Sequence, residues 1–403
     1  MELSWKRNLY VLWLGIFFCS MSYSISVPFL PLFLNSELGV ESHLETWSGV
    51  AFGITFLASA MIAPYWGSLA DKYGRKPMIL RSGFSLSALY LLTYFVSNPY
   101  ELVGIRIMLG LLSGFVPSSI ALIATNTPDK QVGYALGIIS TAGAAGSILG
   151  PFIGGLSSHW FGFRESYLLS GTIVLIAVLI AWIGAREHNF NRSASRSSVR
   201  NDLREAVANR PLTRLLGLSL LIAASVMILE PLLTIYVLQL GGSHDTASLS
   251  SGIIFSAVGL ATVLAAPIWG RIGARIGYQK TLFIGLIGGG VGNLLQFFFH
   301  SLVGFGVLRF VYGLFFAAVY PSVQAMIVKE TDSSFRGRAF SLNQSANQLG
   351  HMAGPVVGGA LGGWLSIPIV FLLNGFALIG TAVRFVPRRT KTPASVTRVS
   401  ETE

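Results

Sequence analysis

Apolar residues fall into long runs separated by short polar breaks. About 20 apolar residues are needed for a helix to cross the hydrocarbon core of a bilayer. Twelve runs are of that order, at roughly 9–33, 47–70, 78–96, 101–124, 134–156, 166–184, 215–239, 249–270, 281–299, 302–328, 339–363 and 367–386. Lipid offers no partners to backbone N–H and C=O groups, so each run must close its own hydrogen bonds as a helix. The alternation expected of an outer-membrane strand is missing. The first run follows Lys6 and Arg7 and has no small-residue cleavage site. It therefore reads as a retained span rather than a signal peptide. The pattern predicts an all-α membrane protein with twelve transmembrane helices.

Composition sharpens this reading. Charged residues are 11% of the 403 positions, less than half the share of about 25% in soluble domains. That excludes a soluble enzyme, a disordered chain and a disulfide-stapled secreted domain. The single cysteine, Cys19, can form no internal disulfide.

The net charge of +11 acquires meaning once the charges are placed. With a cytoplasmic N-terminus, 25 of the 28 Lys and Arg residues fall in cytoplasmic segments. Arg106 and Arg309 lie inside spans, and Arg164 alone falls outside. The positive-inside rule then puts both termini in the cytoplasm. The basic balance is a topology signal, and a nucleic-acid partner is not expected. The long polar stretch from Arg186 to Arg210 contains Arg192-Ser193-Ala194-Ser195-Arg196-Ser197-Ser198 and a short amphipathic helix, Asp202 to Ala208. It reads as a solvated linker near anionic headgroups; a regulatory phosphorylation site is the alternative. It divides the chain into a six-helix bundle (1–184), a basic linker (185–213), a second six-helix bundle (214–386) and a tail (387–403).

The two halves repeat each other. Ala63-Pro64-Tyr65-Trp66-Gly67 returns as Ala266-Pro267-Ile268-Trp269-Gly270, 203 residues on. Arg106-x-x-x-Gly110 returns as Arg309-x-x-x-Gly313 at the same offset. Gly146-x-x-x-Gly150-Pro151-x-x-Gly154-Gly155 returns as Gly350-x-x-x-Gly354-Pro355-x-x-Gly358-Gly359, 204 residues on. Six spans per repeat is an even number, so both copies enter from the same side. This is a transporter architecture, with a site between the halves near the midplane.

These residues resemble a family. Gly67-Ser68-Leu69-Ala70-Asp71-Lys72-Tyr73-Gly74-Arg75-Lys76 is similar to the G-x-x-x-D-[RK]-x-G-[RK]-[RK] loop between spans two and three of the major facilitator superfamily. Arg106 to Gly110 resembles its fourth-span motif, with Leu109 where glutamine is common. Gly146 to Gly155 resembles the fifth-span antiporter motif, and Val27-Pro28-Phe29-Leu30-Pro31-Leu32 the first-span P-x-x-P signature of twelve-span drug–proton antiporters. The resemblance implies two six-helix bundles working by alternating access, and proton-coupled export of drugs or other amphipathic compounds from a bacterial cell membrane. It also implies that Asp71 and Arg75 latch the cytoplasmic helix ends, with Gly67, Lys72, Gly74 and Lys76 in the same loop. A purely topogenic basic loop is the competing reading, and the second-half copy carries Ala274 at the position of Asp71.

Other residues point to chemistry directly. Gly146, Gly150 and Gly154 form a strip on one helix face, as do Gly350, Gly354 and Gly358. Small residues let backbones approach closely, and Pro151 and Pro355 each remove a backbone donor. The two helices are expected to meet partners at the boundary between the halves. Charges inside spans are costly. Glu230 is the one acid deep in any span; a carboxyl there can load and release a proton, with Arg106 as a fixed charge tuning it. A neutral, hydrogen-bonded acid is the structural alternative. Many drug–proton antiporters carry a first-span acid, whereas this span offers Cys19, Ser22, Tyr23 and Ser26.

Asn343, Asn347 and His351 share a face of span eleven, with Gln344 and Gln348 alongside. They are expected to line a substrate cavity or to bind another helix. Arg309, Tyr312, Phe316 and Tyr320 share a face of span ten. They either hold a lipophilic cation by cation–π contact or pack as core. The expected partners are a small-molecule substrate, protons and the lipid bilayer, with the chain a monomer. No phosphate loop and no metal-ligand spacing is present, so no cofactor is expected. A transporter of a defined metabolite such as a sugar or peptide remains open, and an intramembrane enzyme or sensor fits the repeated halves poorly.

Overall fold

The computed structural model describes residues 2–26, 28–187, 199–241, 244–331 and 335–384. Among the described residues the ordered elements are helices and there is no strand. The helices are α1 (Glu2–Ser26), α2 (Leu30–Leu32), α3 (Leu44–Tyr73), α4 (Arg75–Thr93), α5 (Pro99–Leu112), α6 (Phe115–Asn126), α7 (Asp129–Phe161), α8 (Phe163–Gly184), α9 (Val199–Ala208), α10 (Arg210–Gln239), α11 (His244–Ile276), α12 (Tyr278–Gln296), α13 (Leu302–Phe316), α14 (Val319–Lys329), α15 (Arg336–Trp364) and α16 (Ile367–Arg384). A π-helical turn, Phe33–Glu37, follows α2.

These helices make the twelve passes. α5 with α6 forms the fourth and α13 with α14 the tenth; α2 and α9 are connectors. Among the described residues, nine passes are long and apolar enough to span alone. The other three, α4, α12 and α15, bury polar side chains inside the bundles: Ser82 and Ser87, Asn293 and Gln296, and Asn343. Polar groups in a span belong on such protein-facing sides.

Several helices outrun their apolar runs because the turns between them are single residues. Gly74 (φ 99°), Gly162 (φ 105°) and Gly277 (φ 94°) join α3 to α4, α7 to α8 and α11 to α12. Such positive φ is nearly free for glycine and costly for other residues. The loop glycine Gly74 and its repeat Gly277 are thus required by the backbone.

In the first half α1 packs on α7 and α8, α4 on α8, and α3 on α5. Its core gathers around Leu12, Phe115, Ile139 and Val178. In the second half α10 packs on α15, α12 on α16, and α11 on α13, around Leu218, Leu286, Tyr312 and Val319. The halves meet mainly through α3 against α15 and α7 against α11.

Spans five and eleven, α7 and α15, do meet partners across the boundary, α11 and α3, but not through the whole of their glycine strips. Gly146, Gly150 and Gly154 face α1, where a Cβ would run into Phe17, Met21, Ser24 and Ile25. Gly350, Gly354 and Gly358 likewise face α10 at Leu220, Ala224 and Ile228. Both strips close their own half. The boundary is made by the last glycine of each motif, Gly155 and Gly359, with Gly252 and Gly49 opposite them. A Cβ on Gly49 of α3 would strike the Pro355 carbonyl and Gly359, and one on Gly252 of α11 the Pro151 carbonyl and Gly155. The two crossings repeat each other, as the sequence does. Because Gly154 and Gly155 are adjacent on a helix, they point about 100° apart.

The two boundary crossings lie toward the end opposite the chain termini, near the starts of α3 and α11 and the ends of α15 and α7. The seal there is continued by Thr234, which donates to the Pro28 carbonyl, and by Phe29 and Leu32 packed with Leu229, Leu232 and Leu233. Arg164, the basic residue expected outside, is a staple at this end. It donates to Glu37 at 2.7 Å and to the carbonyls of Tyr94 and Val96. It thereby joins α8, the π-helical turn and the α4–α5 connection.

Candidate functional site

Near the middle of the molecule, α10 brings Glu230 to the junction of the halves. Glu230 keeps part of its surface accessible. The charge of Arg309 acts on it from within its own half, and Tyr23 of α1 feels its charge from the other. Among the described residues no ion pair joins Glu230 to either arginine. Arg309 is 6% exposed, lies 5.1 Å from the Tyr312 ring and has no hydrogen-bond partner for its Nε.

Arg106 has its hydrogen-bond partner within its own half. It is 3% exposed and donates to the Tyr167 hydroxyl at 3.3 Å, with Tyr23 and Tyr90 in its field. Arg106 and Arg309 occupy repeated positions, and each serves its own half. Glu230 has no counterpart in the first half, where position 27 is a valine.

Tyr23 belongs to an aromatic chain that crosses between the halves. Its ring lies 6.4 Å from Phe56 of α3, and Phe56 lies 5.3 Å from His351 of α15, both edge-on. Phe56 was not singled out from the sequence, where it is one of 27 phenylalanines. The polar face of span eleven divides. Asn343 is buried and accepts from Ser219 of α10, so it fastens two helices. Gln344 is exposed. Asn347 and His351 are partly buried, and Asn347 Oδ1 has no partner.

The aromatic face of span ten also divides. Tyr312 and Phe316 are stacked at 5.1 Å and buried, against Gly289 and Gly292 of α12. They are core. Tyr320, beyond the interruption between α13 and α14, is 36% exposed.

At the end carrying the termini, the loop from Gly67 to Lys76 is tied to α8. Glu187 accepts from the backbone N–H groups of Arg75 and Lys76 at 2.9 and 3.0 Å. Lys76 Nζ donates to the carbonyls of Trp182 and Ala185. A carboxylate thus sits at the N-terminus of α4 and an ammonium at the C-terminus of α8, each on the favourable end of a helix dipole. Lys72 is exposed, over the Tyr73 ring. Asp71 lies in α3, but its side chain is outside the described residues. Glu187 was missed because it follows span six, in what read as linker. Asn8 closes the same corner, exchanging two hydrogen bonds with the backbone of Arg186.

The family model described as Major Facilitator Superfamily matches residues 12–261 and 215–402. Multidrug resistance protein MdtG of Salmonella arizonae is 36% identical over 387 residues, covering 94% of this chain and 95% of that protein. The same protein of Salmonella typhimurium matches at 36% over the same lengths. Among solved structures, the nucleoside transporter NupG superposes with a TM-score of 0.77 at 14% identity, covering 94% of this chain and 98% of NupG. A bacterial homologue of the human lysosomal transporter Spinster superposes at 0.73 and 15%, covering 96% and 95%. These distant structures share the fold. The curated relatives match nearly end to end, and the chain is a multi-pass membrane transporter that belongs to the major facilitator superfamily.

Proposed function

We propose that this chain exports drugs or other amphipathic small molecules in exchange for protons, by alternating access of two six-helix units, 1–184 and 214–386. The MdtG relatives are named for multidrug resistance, which supports the export of drugs. The observation that carries proton coupling is Glu230: an accessible carboxyl deep in a span, at the junction of the halves, in the field of one buried guanidinium. An antiporter needs a group that is neutral in one state and charged in another. Glu230 supplies it. Tyr23, Phe56 and His351 form the adjacent wall, and Tyr320, Gln344 and Asn347 extend it. Contacts between the halves at the end away from the termini describe a state open toward the termini. The termini are cytoplasmic, the membrane is the bacterial inner membrane, and the chain works as a monomer.

Efflux from vesicles under an imposed pH gradient tests this reading. Glu230→Gln keeps the shape and loses the charge, and is expected to abolish proton-driven efflux while neutral compounds still bind. Efflux by Glu230→Gln equal to the parent would remove Glu230 from the mechanism.

A further inference from the structure

Two of the repeated motifs touch each other, and do so twice. The indole of Trp66 in α3 donates to the carbonyl of Leu111 at 2.7 Å. The indole of Trp269 in α11 donates to the carbonyl of Leu314 at 2.7 Å. Donor and acceptor are both 203 residues apart between the halves.

Each acceptor sits where its span is interrupted. The fourth pass stops at Leu112 and restarts at Phe115, with Gly114 at φ 135°. The tenth stops at Phe316 and restarts at Val319. Both last turns tighten: Ser113 N–H bonds Gly110 O, and Ala318 N–H bonds Phe315 O. Ala318 N–H is the group that would have reached Leu314 O in an unbroken helix. A carbonyl orphaned inside a membrane span needs another donor, and the indole is that donor. The carbonyl lies five residues beyond Arg106 in one half and beyond Arg309 in the other.

The donating helices are α3 and α11, which also carry the crossings at Gly49 and Gly252. We propose that Trp66 and Trp269 are positioning residues, whose indole N–H bonds tie the helices at the boundary of the halves to the interrupted spans that hold Arg106 and Arg309. When α3 and α11 shift against α15 and α7, each indole moves the bend of its span, and the buried guanidinium moves with it. The effect of this movement on Glu230 rests on the proton-coupling reading above.

The halves are not equivalent. At the first bend Arg81 also donates to the Ser113 carbonyl at 3.0 Å, with its guanidinium 3.4 Å from the Trp66 ring centre, and Ser59 meets Ser113 at 2.9 Å. Ile284 and Phe316 stand at the positions of Arg81 and Ser113 in the second half. The second bend therefore rests more heavily on its indole.

The test replaces each indole in the full chain. Trp269→Phe removes the N–H; benzothienylalanine at 269 removes it while keeping the ring's size, should phenylalanine lower the folded yield. Hydrogen exchange in lipid discs is read over residues 312–320, and the pH profile of efflux in vesicles. Exchange at the second bend is expected to rise about tenfold, and the midpoint of the pH profile to shift by about half a unit or more. Trp66→Phe is expected to raise exchange over 109–118 less, and to leave the midpoint in place. Unchanged exchange in the Trp269 variants would overturn the proposal. Raised exchange with an unchanged pH profile would reduce Trp269 to a structural cap and overturn its positioning role. If the parent protein itself shows no proton dependence, the proton-coupling reading fails on its own, and exchange at the two bends decides whether the indoles hold them.

Discussion

At the residue scale, Glu187 and Gly74 explain a motif that charge alone leaves half-explained. The positive-inside rule accounts for Lys72, Arg75 and Lys76 in the loop, but it asks for no glycine and no acid. Gly74 is required because its φ of 99° makes the α3–α4 turn in one residue, and because a Cβ there would lie 2.8 Å from a Glu187 oxygen. Glu187→Gln is expected to lower the thermal midpoint in detergent, since a charge at a helix N-terminus is worth about 0.3–1 kcal/mol. Gly74→Ala is expected to lower it further, by roughly 1–3 kcal/mol of backbone strain. A Gly74→Ala midpoint equal to the parent would mean that the turn can adopt another geometry.

At the element scale, α7 and α15 each use two faces built from one motif. Gly150 closes α7 on α1, whereas Gly155, one helical step round from Gly154, closes it on α11. Substitution should separate the two. Gly150→Leu overpacks a single half, where inserted methylenes cost about 1–3 kcal/mol, and is expected to reduce folded yield. Gly252→Leu overpacks the boundary, where the halves can part. It is expected to keep most of its folded yield and to open the sealed end, seen as faster labelling of a cysteine placed at Thr234. Labelling at the parent rate in well-folded Gly252→Leu would show that the seal does not depend on that crossing.

At the scale of the whole molecule, an even number of passes puts both termini on one side, and the proposal that this side is cytoplasmic can be tested by labelling. In a Cys19→Ser background, Val207→Cys is expected to react with an impermeant reagent after permeabilisation, and Glu41→Cys in intact cells. The reverse pattern would invert the topology. Val207 is 66% exposed and Glu41 lies beyond the π-helical turn, so neither substitution disturbs a core. The same scale shows why the charged groups are so few. Two buried arginines and one deep carboxyl share the interior, and each extra charge would carry the cost of leaving water.

The chain by itself determined the twelve spans, the two-fold repeat, the loop and strip motifs, and the isolation of Glu230. These are legible because apolar length and residue spacing are local properties that lipid enforces on each span separately. What the tertiary structure decided was which face meets which partner. The spacing of Gly146, Gly150 and Gly154 specifies a flat strip but not whether α1 or α11 lies on it. The spacing of Asn343, Asn347 and His351 specifies a polar stripe, but Ser219 takes Asn343 for itself. The even register from Tyr312 to Tyr320 assumes an unbroken helix, and the interruption after Phe316 leaves Tyr320 the more exposed end. Glu187 meets Arg75 across 112 residues and Trp66 meets Leu111 across 45, distances over which periodicity carries no information. The repeat placed Arg106 and Arg309 on equal terms; only packing gave Arg106 the Tyr167 hydroxyl and left Arg309 beside the Tyr312 ring, because a buried guanidinium is held by the groups that fold against it, not by its neighbours in the chain.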